Sequence, residues 1–208
     1  MGDGFRAGFR ADLPLAILES VRTHDRPTEV LEDEDLTAVL PRRLGLTGVV
    51  ESQIHRYRLA RKRRERIPYS EVGDLLRLVL RRPDSEPILR EAGHAIARQH
   101  GRRPIYRVPA FGRFLPGSIS GRIARRTIRR LLRRIGGGVP LRVTRKPFRV
   151  EMTDPVTARV DTMGIGCTLY GAAIEEMYAE TTRIRPRVEH VECQGRGAER
   201  CVWEVRTG

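Results

Sequence analysis

The spacing of apolar residues changes once along this chain, at the glycines 136–138, and that change constrains the fold more than any other feature. Before it, apolar residues recur at helical intervals. The stretch DLPLAILESV places Leu15, Ile17, Leu18 and Val21 along a short amphipathic helix. In LEDEDLTAVL, acids precede Leu36, Val39 and Leu40, where they favour a helix N-terminus, and Pro41 limits how that helix continues. Thr47 can cap a longer helix carrying Val49, Val50, Ile54, Tyr57 and Leu59, ending in the basic run RKRRER before Pro68. Ser70 can cap a helix that stops at Pro83, and Asp84 or Ser85 one that stops at Gly101. Ser118 or Ser120 can cap GRIARRTIRRLLRRI, where Ile123, Thr127, Ile128, Leu131, Leu132 and Ile135 share one face.

After the glycines the alternation is that of strands. VPLRVTR, FRVEMT and TARVDT read as three short strands, and GCTLYGAAIEEMYAET as a helix with Leu169, Ala172, Ala173, Ile174 and Met177 inward. RVEHVEC and CVWEV read as a final hairpin joined by QGRGAER. Helices, then strands, one helix and a hairpin predict an α+β protein: a helical N-terminal half packed on an antiparallel sheet, not a Rossmann alternation.

The hairpin concentrates rare residues. The chain has three cysteines and five histidines, and Cys193, Cys201 and His190 lie inside it, with Cys167 at the start of the preceding helix. A hairpin brings His190, Cys193 and Cys201 to one end of the sheet, and the helix start has only to pack beside them. Three thiolates and one imidazole make a closed tetrahedral set, the preference of a structural zinc ion. The helix N-terminus favours a thiolate at Cys167. Other readings stay open on spacing alone: chance proximity, a Cys193–Cys201 disulfide, or Glu189 or Glu192 as ligand in place of His190. An odd cysteine count argues for reduced thiols or metal ligands over a disulfide framework.

No apolar run is long enough to span a bilayer, and the N-terminus carries acids without a small-residue cleavage site, so a cytoplasmic location is expected. GIGCTL lacks the third glycine of a dinucleotide fingerprint, and no Walker or HExxH motif occurs. No catalytic triad is visible; His24 and His55 read as surface residues, His94 and His100 as packing residues.

The charge is uneven. The formal net charge is +14, and only Lys62 and Lys146 are lysines, so 38 of the 40 basic residues are arginine. Residues 101–150 hold fifteen basic residues and no acid. In the helix within that stretch Arg122, Arg125, Arg126, Arg129, Arg130, Arg133 and Arg134 cover the face opposite the apolar one. With Tyr106, Phe111, Phe114 and Phe148 interleaved, this region suits phosphates of a nucleic acid, an acidic ligand or an anionic membrane surface. Equally it is a solvated arginine face in an arginine-biased chain.

The stretches ILREAG at 88–93, RVEMTDP at 149–155, the Cys167–Tyr170 pair, and above all C-x7-C-x-W-E-V from Cys193 to Val205 resemble the 4-vinyl-reductase-like, hydrocarbon-binding domain family. The family includes bacteriochlorophyll biosynthesis proteins and sensory domains of phenol-responsive activators, and is akin to small subunits of a Golgi-tethering particle. The resemblance implies a ligand-binding domain over 86–208, with 1–85 a helical N-terminal extension suited to homodimerisation. It implies zinc on Cys167, Cys193 and Cys201, with His190 where the sensory members have an acidic residue. It implies a pocket for a small hydrophobic, aromatic or tetrapyrrole-like molecule, for which Tyr106, Phe111, Phe114, Met152, Met163 and Tyr170 are candidate lining residues. Lys146 and Val188 stand where phenol-sensing members have pocket residues, which argues against phenol itself. A non-enzymatic sensor or carrier, working through a separate output protein, is the expectation; a nucleic-acid-binding protein is the alternative.

Overall fold

In the computed structural model, which describes residues 8–25, 36–101 and 117–207, the two apolar periodicities become two kinds of element. The helical part gives α1 (Asp12–His24), α2 (Leu36–Arg63), α3 (Tyr69–Leu80), α4 (Ser85–Gly101) and α5 (Gly117–Ile135). A two-residue strand, β1 (Phe9–Arg10), pairs antiparallel with β2 (Arg66–Ile67), an exchange too short to leave an alternating pattern in the sequence. Next come β3 (Leu141–Val143), β4 (Arg149–Met152), α6 (Val156–Val160), a single 3-10 turn at Ile165–Cys167, α7 (Thr168–Thr182), β5 (Arg187–Glu192) and β6 (Cys201–Arg206). The last four strands form one antiparallel sheet in the order β3-β4-β6-β5. The fold class is α+β, as the change of periodicity predicts.

Helix α7 is the centre of the packing, lying along α4 and α5 and adjoining β5. Two glycines permit this. A Cβ on Gly93 would sit 2.3 Å from the Leu169 carbonyl oxygen and 2.9 Å from Ala172 Cβ, so α4 and α7 cross almost backbone to backbone. A Cβ on Gly171 would lie 3.5 Å from the Trp203 ring, which seats α7 on β6. Ile88, Leu89, Ala92 and Ala97 of α4, Ile128, Leu131 and Ile135 of α5, and Ala173, Ile174 and Met177 of α7 are buried in one core. That core continues without a break into Leu13, Leu15 and Ile17 of α1, Ile54 of α2 and Leu76 of α3. Residue 85 is the first of α4, and apolar packing continues across it. The carboxylate of Asp12 is buried, and Arg134 binds it through Nε at 2.9 Å and Nη2 at 2.6 Å, with Arg10 Nε at 3.4 Å.

Three local expectations are corrected. The backbone of α2 runs unbroken through Pro41 and Thr47: a proline removes one intrahelical bond, and packing of Ile54, Tyr57 and Ala60 on the core sustains the helix beyond it. The stretch TARVDT is α6, not a strand. Pro155 stands at its N-cap with extended backbone, and burial of Val156 and Thr157 against the core takes precedence over β-branched propensity. Arg134 faces the buried Asp12, so it does not belong with the outward arginines of α5.

Candidate metal centre

The site is built where a helix start meets the end of a hairpin. Cys167 closes the 3-10 turn and occupies the N-cap position of α7. Cys193 follows β5, and Cys201 opens β6. His190 and Cys193 are three apart, a spacing that in a regular strand would point them to opposite faces. A β-bulge resolves this: His190 pairs with Trp203, yet Glu192 pairs with Val202, so Val191 is the extra residue. Cys193 thereby returns to the level and face of Cys201. Val191 and Glu192 are exposed, so neither Glu192 nor a one-residue slip is needed to complete the set.

Backbone constraints fix the sulfurs. Cys193 leads into a turn in which its carbonyl accepts the N–H groups of Arg196 at 3.0 Å and Ala198 at 3.1 Å, and Gly197 adopts φ +97°. Gly195 packs so closely that a Cβ would lie 2.2 Å from the Asp161 carbonyl oxygen. The Asp161 carboxylate, itself buried, accepts the N–H of Met163 at 2.8 Å and of Gly166 at 2.6 Å, shaping the loop that delivers Cys167. Gly164, at φ +80°, closes the cradle: a Cβ there would come within 2.9 Å of Cys193 Sγ.

Four potential ligand atoms, one each from Cys167, His190, Cys193 and Cys201, lie within 4.8 Å of one another. All three cysteines are buried and free, so the alternative of a Cys193–Cys201 disulfide is not realised. The Cys167 and Cys201 sulfurs are 3.8 Å apart. A tetrahedron with Zn–S bonds of about 2.3 Å has edges of about 3.8 Å, so this separation already fits a metal-bound pair. His190 Nε2 is buried without a hydrogen-bond partner, an arrangement that is costly unless an ion or another group satisfies the nitrogen. Its ring stacks on Trp203 at 4.9 Å between centroids, and Trp203 in turn meets Tyr170 edge to face at 5.9 Å. The Gln194 N–H lies 3.4 Å from Cys201 Sγ and Thr157 Oγ1 lies 3.3 Å from Cys167 Sγ, the outer contacts that orient sulfur ligands.

The electrostatics divide the two closest thiols. The contact with Cys167 holds the Cys201 thiol down at about 5, helped by His190 and the Gln194 N–H and opposed by burial. The same contact, with burial, pushes the Cys167 thiol far up. The shared sulfur–sulfur contact lowers Cys201 and raises Cys167, the opposite of the direction in which the helix N-terminus pulls Cys167.

The candidate ligand-lining residues do not form one group among the described residues. Met152 and Tyr170 are buried in the core, whereas Met163 is 71% exposed, because Asp161 turns its loop outward. Tyr106, Phe111 and Phe114 lie outside the described residues. The hydroxyl of Tyr170 and Nε1 of Trp203 are buried without hydrogen-bond partners. Sequence reasoning passed over Trp203, Asp161 and Gly164, which support the cluster; the motif C-x-W carries the only signal for the first of these. His24 forms an ion pair with Glu91 at 3.0 Å, and His94 packs between α4 and α7, where burial holds its imidazole below the ordinary range.

Fold and site together define an α+β protein with a buried three-cysteine, one-histidine cluster that could hold a metal ion. No family model matches the chain, and no curated protein matches it. Among the described residues no helix is long and apolar enough to cross a membrane.

Proposed function

We propose that the chain is a zinc-containing domain that binds a small hydrophobic or aromatic molecule, with the metal in a structural role. The observation that carries the metal is the convergence of four ligand atoms within 4.8 Å, two of the sulfurs already at a tetrahedral edge. Zinc is favoured over other ions because a buried sulfur-rich set with one imidazole suits it, and four protein ligands leave no position for a reacting water. A bound ion would tie the start of α7 to both strands of the terminal hairpin. The residues themselves do the rest: Gly164 and Gly195 allow the close approach, and Gln194 and Thr157 orient the sulfurs.

The ligand reading rests on the resemblance of ILREAG, RVEMTDP and the C-x7-C-x-W-E-V stretch to hydrocarbon-binding domains. It gains support from Tyr170 and Trp203, two buried donors in one aromatic stack without acceptors, which a carbonyl or hydroxyl of a flat ligand would satisfy. A sensor or carrier, and not an enzyme, is the role this arrangement suits.

Metal analysis of protein purified without added metal tests the first half. About one equivalent of zinc is expected for a single four-ligand site, falling below half in Cys201→Ser. An unloaded protein, or a loading that the substitution leaves unchanged, overturns it. Binding of a panel of substituted phenols and a porphyrin, followed by Tyr170 and Trp203 fluorescence, tests the second half. Tyr170→Phe is expected to weaken the best binder about tenfold, the loss of one hydrogen bond, with zinc content unchanged. A panel without any binder removes the ligand reading and leaves the metal site standing.

A further inference from the structure

The metal cluster leaves the arginines of α5 without a role. At about 100° per residue, the buried residues Ala124, Thr127, Ile128, Leu131, Leu132 and Ile135 occupy one side of α5. The opposite arc, roughly 140° wide, runs from Arg125 through Arg129, Arg122, Arg133 and Arg126 to Arg130 and contains no acid. Arg122, Arg126, Arg129, Arg130 and Arg133 are exposed. On the Arg125 flank the helix meets the β3–β4 pair, where Arg129 donates to the Val143 carbonyl at 3.3 Å. The turn between those strands adds Arg145 and Lys146, and β3 adds Arg142, all exposed.

Most of these cations are crowded and lack an acidic neighbour. Burial first, and then the fields of Arg145, Arg122 and Arg129, press the Arg125 guanidinium below its ordinary range, so charges from two elements converge there. Arg122, Arg125, Arg126, Arg129, Arg133, Arg142, Arg145 and Lys146 have no acidic partner among the described residues. Elsewhere on the molecule arginines are routinely paired: Arg149 with Glu204, Arg200 with Glu151, Arg58 with Glu19, Arg82 with Asp25 and Asp84. An arginine-biased composition accounts for many arginines but not for their separation from acids on one face. Self-repulsion of this kind destabilises a fold unless a polyanion relieves it.

We infer that α5 and the β3–β4 turn form a surface that binds the phosphate backbone of a duplex nucleic acid, without reading its sequence. Arg122, Arg126, Arg129 and Arg133 make a stripe rising about 16 Å along the helix, on the scale of a few successive phosphates. An anionic membrane is the poorer fit, because the apolar side of α5 is committed to the core and Ile119 is its one exposed large apolar residue. Among the described residues a single strand is also the poorer fit, because Phe148, which follows the turn, is packed on Tyr178.

Fluorescence anisotropy with a mixed-sequence 20-base-pair duplex over a salt series tests this on the full chain. Binding is expected to weaken with a log–log slope of about −0.9 for each phosphate contact. The quadruple variant Arg122→Gln, Arg126→Gln, Arg129→Gln, Arg133→Gln is expected to lose at least about tenfold in affinity and up to about 3.6 in slope. A control removes the same charge elsewhere, through Arg61→Gln, Lys62→Gln, Arg64→Gln and Arg81→Gln, and is expected to retain most of the affinity and slope. Circular dichroism confirms that both variants fold. Equal losses in the two variants would show a net-charge effect and overturn the surface. So would no duplex binding at 50 mM salt, tighter binding of a single-stranded 20-mer, or binding of phosphatidylserine vesicles in preference to the duplex.

Discussion

Gly164 shows how a single residue position can set the metal centre. Its φ of +80° is open to glycine at little cost, and its α-carbon faces Cys193 Sγ, which a methyl would approach to 2.9 Å. Gly197, at φ +97°, has the same backbone requirement with nothing within 4 Å of an added methyl. The two positions separate backbone strain from displacement of the sulfur. Gly197→Ala is expected to cost about 1–2 kcal/mol in urea unfolding with metal content unchanged. Gly164→Ala is expected to cost about 1–3 kcal/mol more and to reduce metal content as well, since Cys193 must move. Equal metal content in the two variants would show that the sulfur position tolerates displacement. The four candidate ligands were legible at this scale, because Cys and His are scarce and all three cysteines and one of the five histidines fall within the last 42 residues. The residues that aim them were not. Asp161 acts through two backbone N–H groups and Val191 through a bulge, and both depend on pairing partners that are distant in sequence.

Among elements, the crossing of α4 and α7 carries the most closely packed backbone. Gly93 sits in the middle of an amphipathic helix, where glycine costs about 1 kcal/mol relative to alanine in propensity alone. Packing reverses that sign. A Cβ at 2.3 Å from the Leu169 carbonyl oxygen meets backbone, which cannot swing aside as a flexible side chain would. Gly93→Ala is therefore expected to lower stability by about 1–3 kcal/mol or more, measured as a reduced denaturation midpoint, despite its higher helix propensity. It also shifts the start of α7, so metal content falls with stability. An alanine that stabilises would mean the helices are not in contact there. Elements with sustained periodicity were legible: α4 and α5 because one face of each is buried throughout, α7 because it lies in the core, and the terminal hairpin through its alternation and its rare residues. Those that failed were short or locally ambiguous. TARVDT has the β-branched residues of a strand but only the length of a single helical turn and a half, and Pro155 decides its start. Pro41 marks a proline inside a helix whose continuation is determined by packing 13 to 19 residues further on, at Ile54, Tyr57 and Ala60.

For the whole molecule, the cluster joins the last third of the chain to itself and leaves the N-terminal helices to apolar packing and to ion pairs such as Asp12–Arg134, Glu19–Arg58 and His24–Glu91. Metal removal should therefore act through the hairpin and α7 and be felt globally, because α7 is central to the one core. An ion held at a free concentration about a thousandfold above its dissociation constant stabilises by about 4.1 kcal/mol, so a chelator is expected to produce a large fall in the thermal midpoint that added zinc restores. The pH dependence has a definite sign. In the metal-free protein Cys201 is a thiolate above about 5, a lowered pKa whose favourable contribution is lost as pH falls through that value, while Cys167 keeps its proton. Metal binding must expel the proton of Cys167, and each proton so released weakens the apparent affinity about tenfold for every unit of acidification. Competition against a chromophoric chelator at pH 8, 7 and 6 is expected to show affinity falling steadily. An affinity independent of pH over this range would mean that the thiols are not the ligands, and that the convergence of three buried sulfurs has some other purpose.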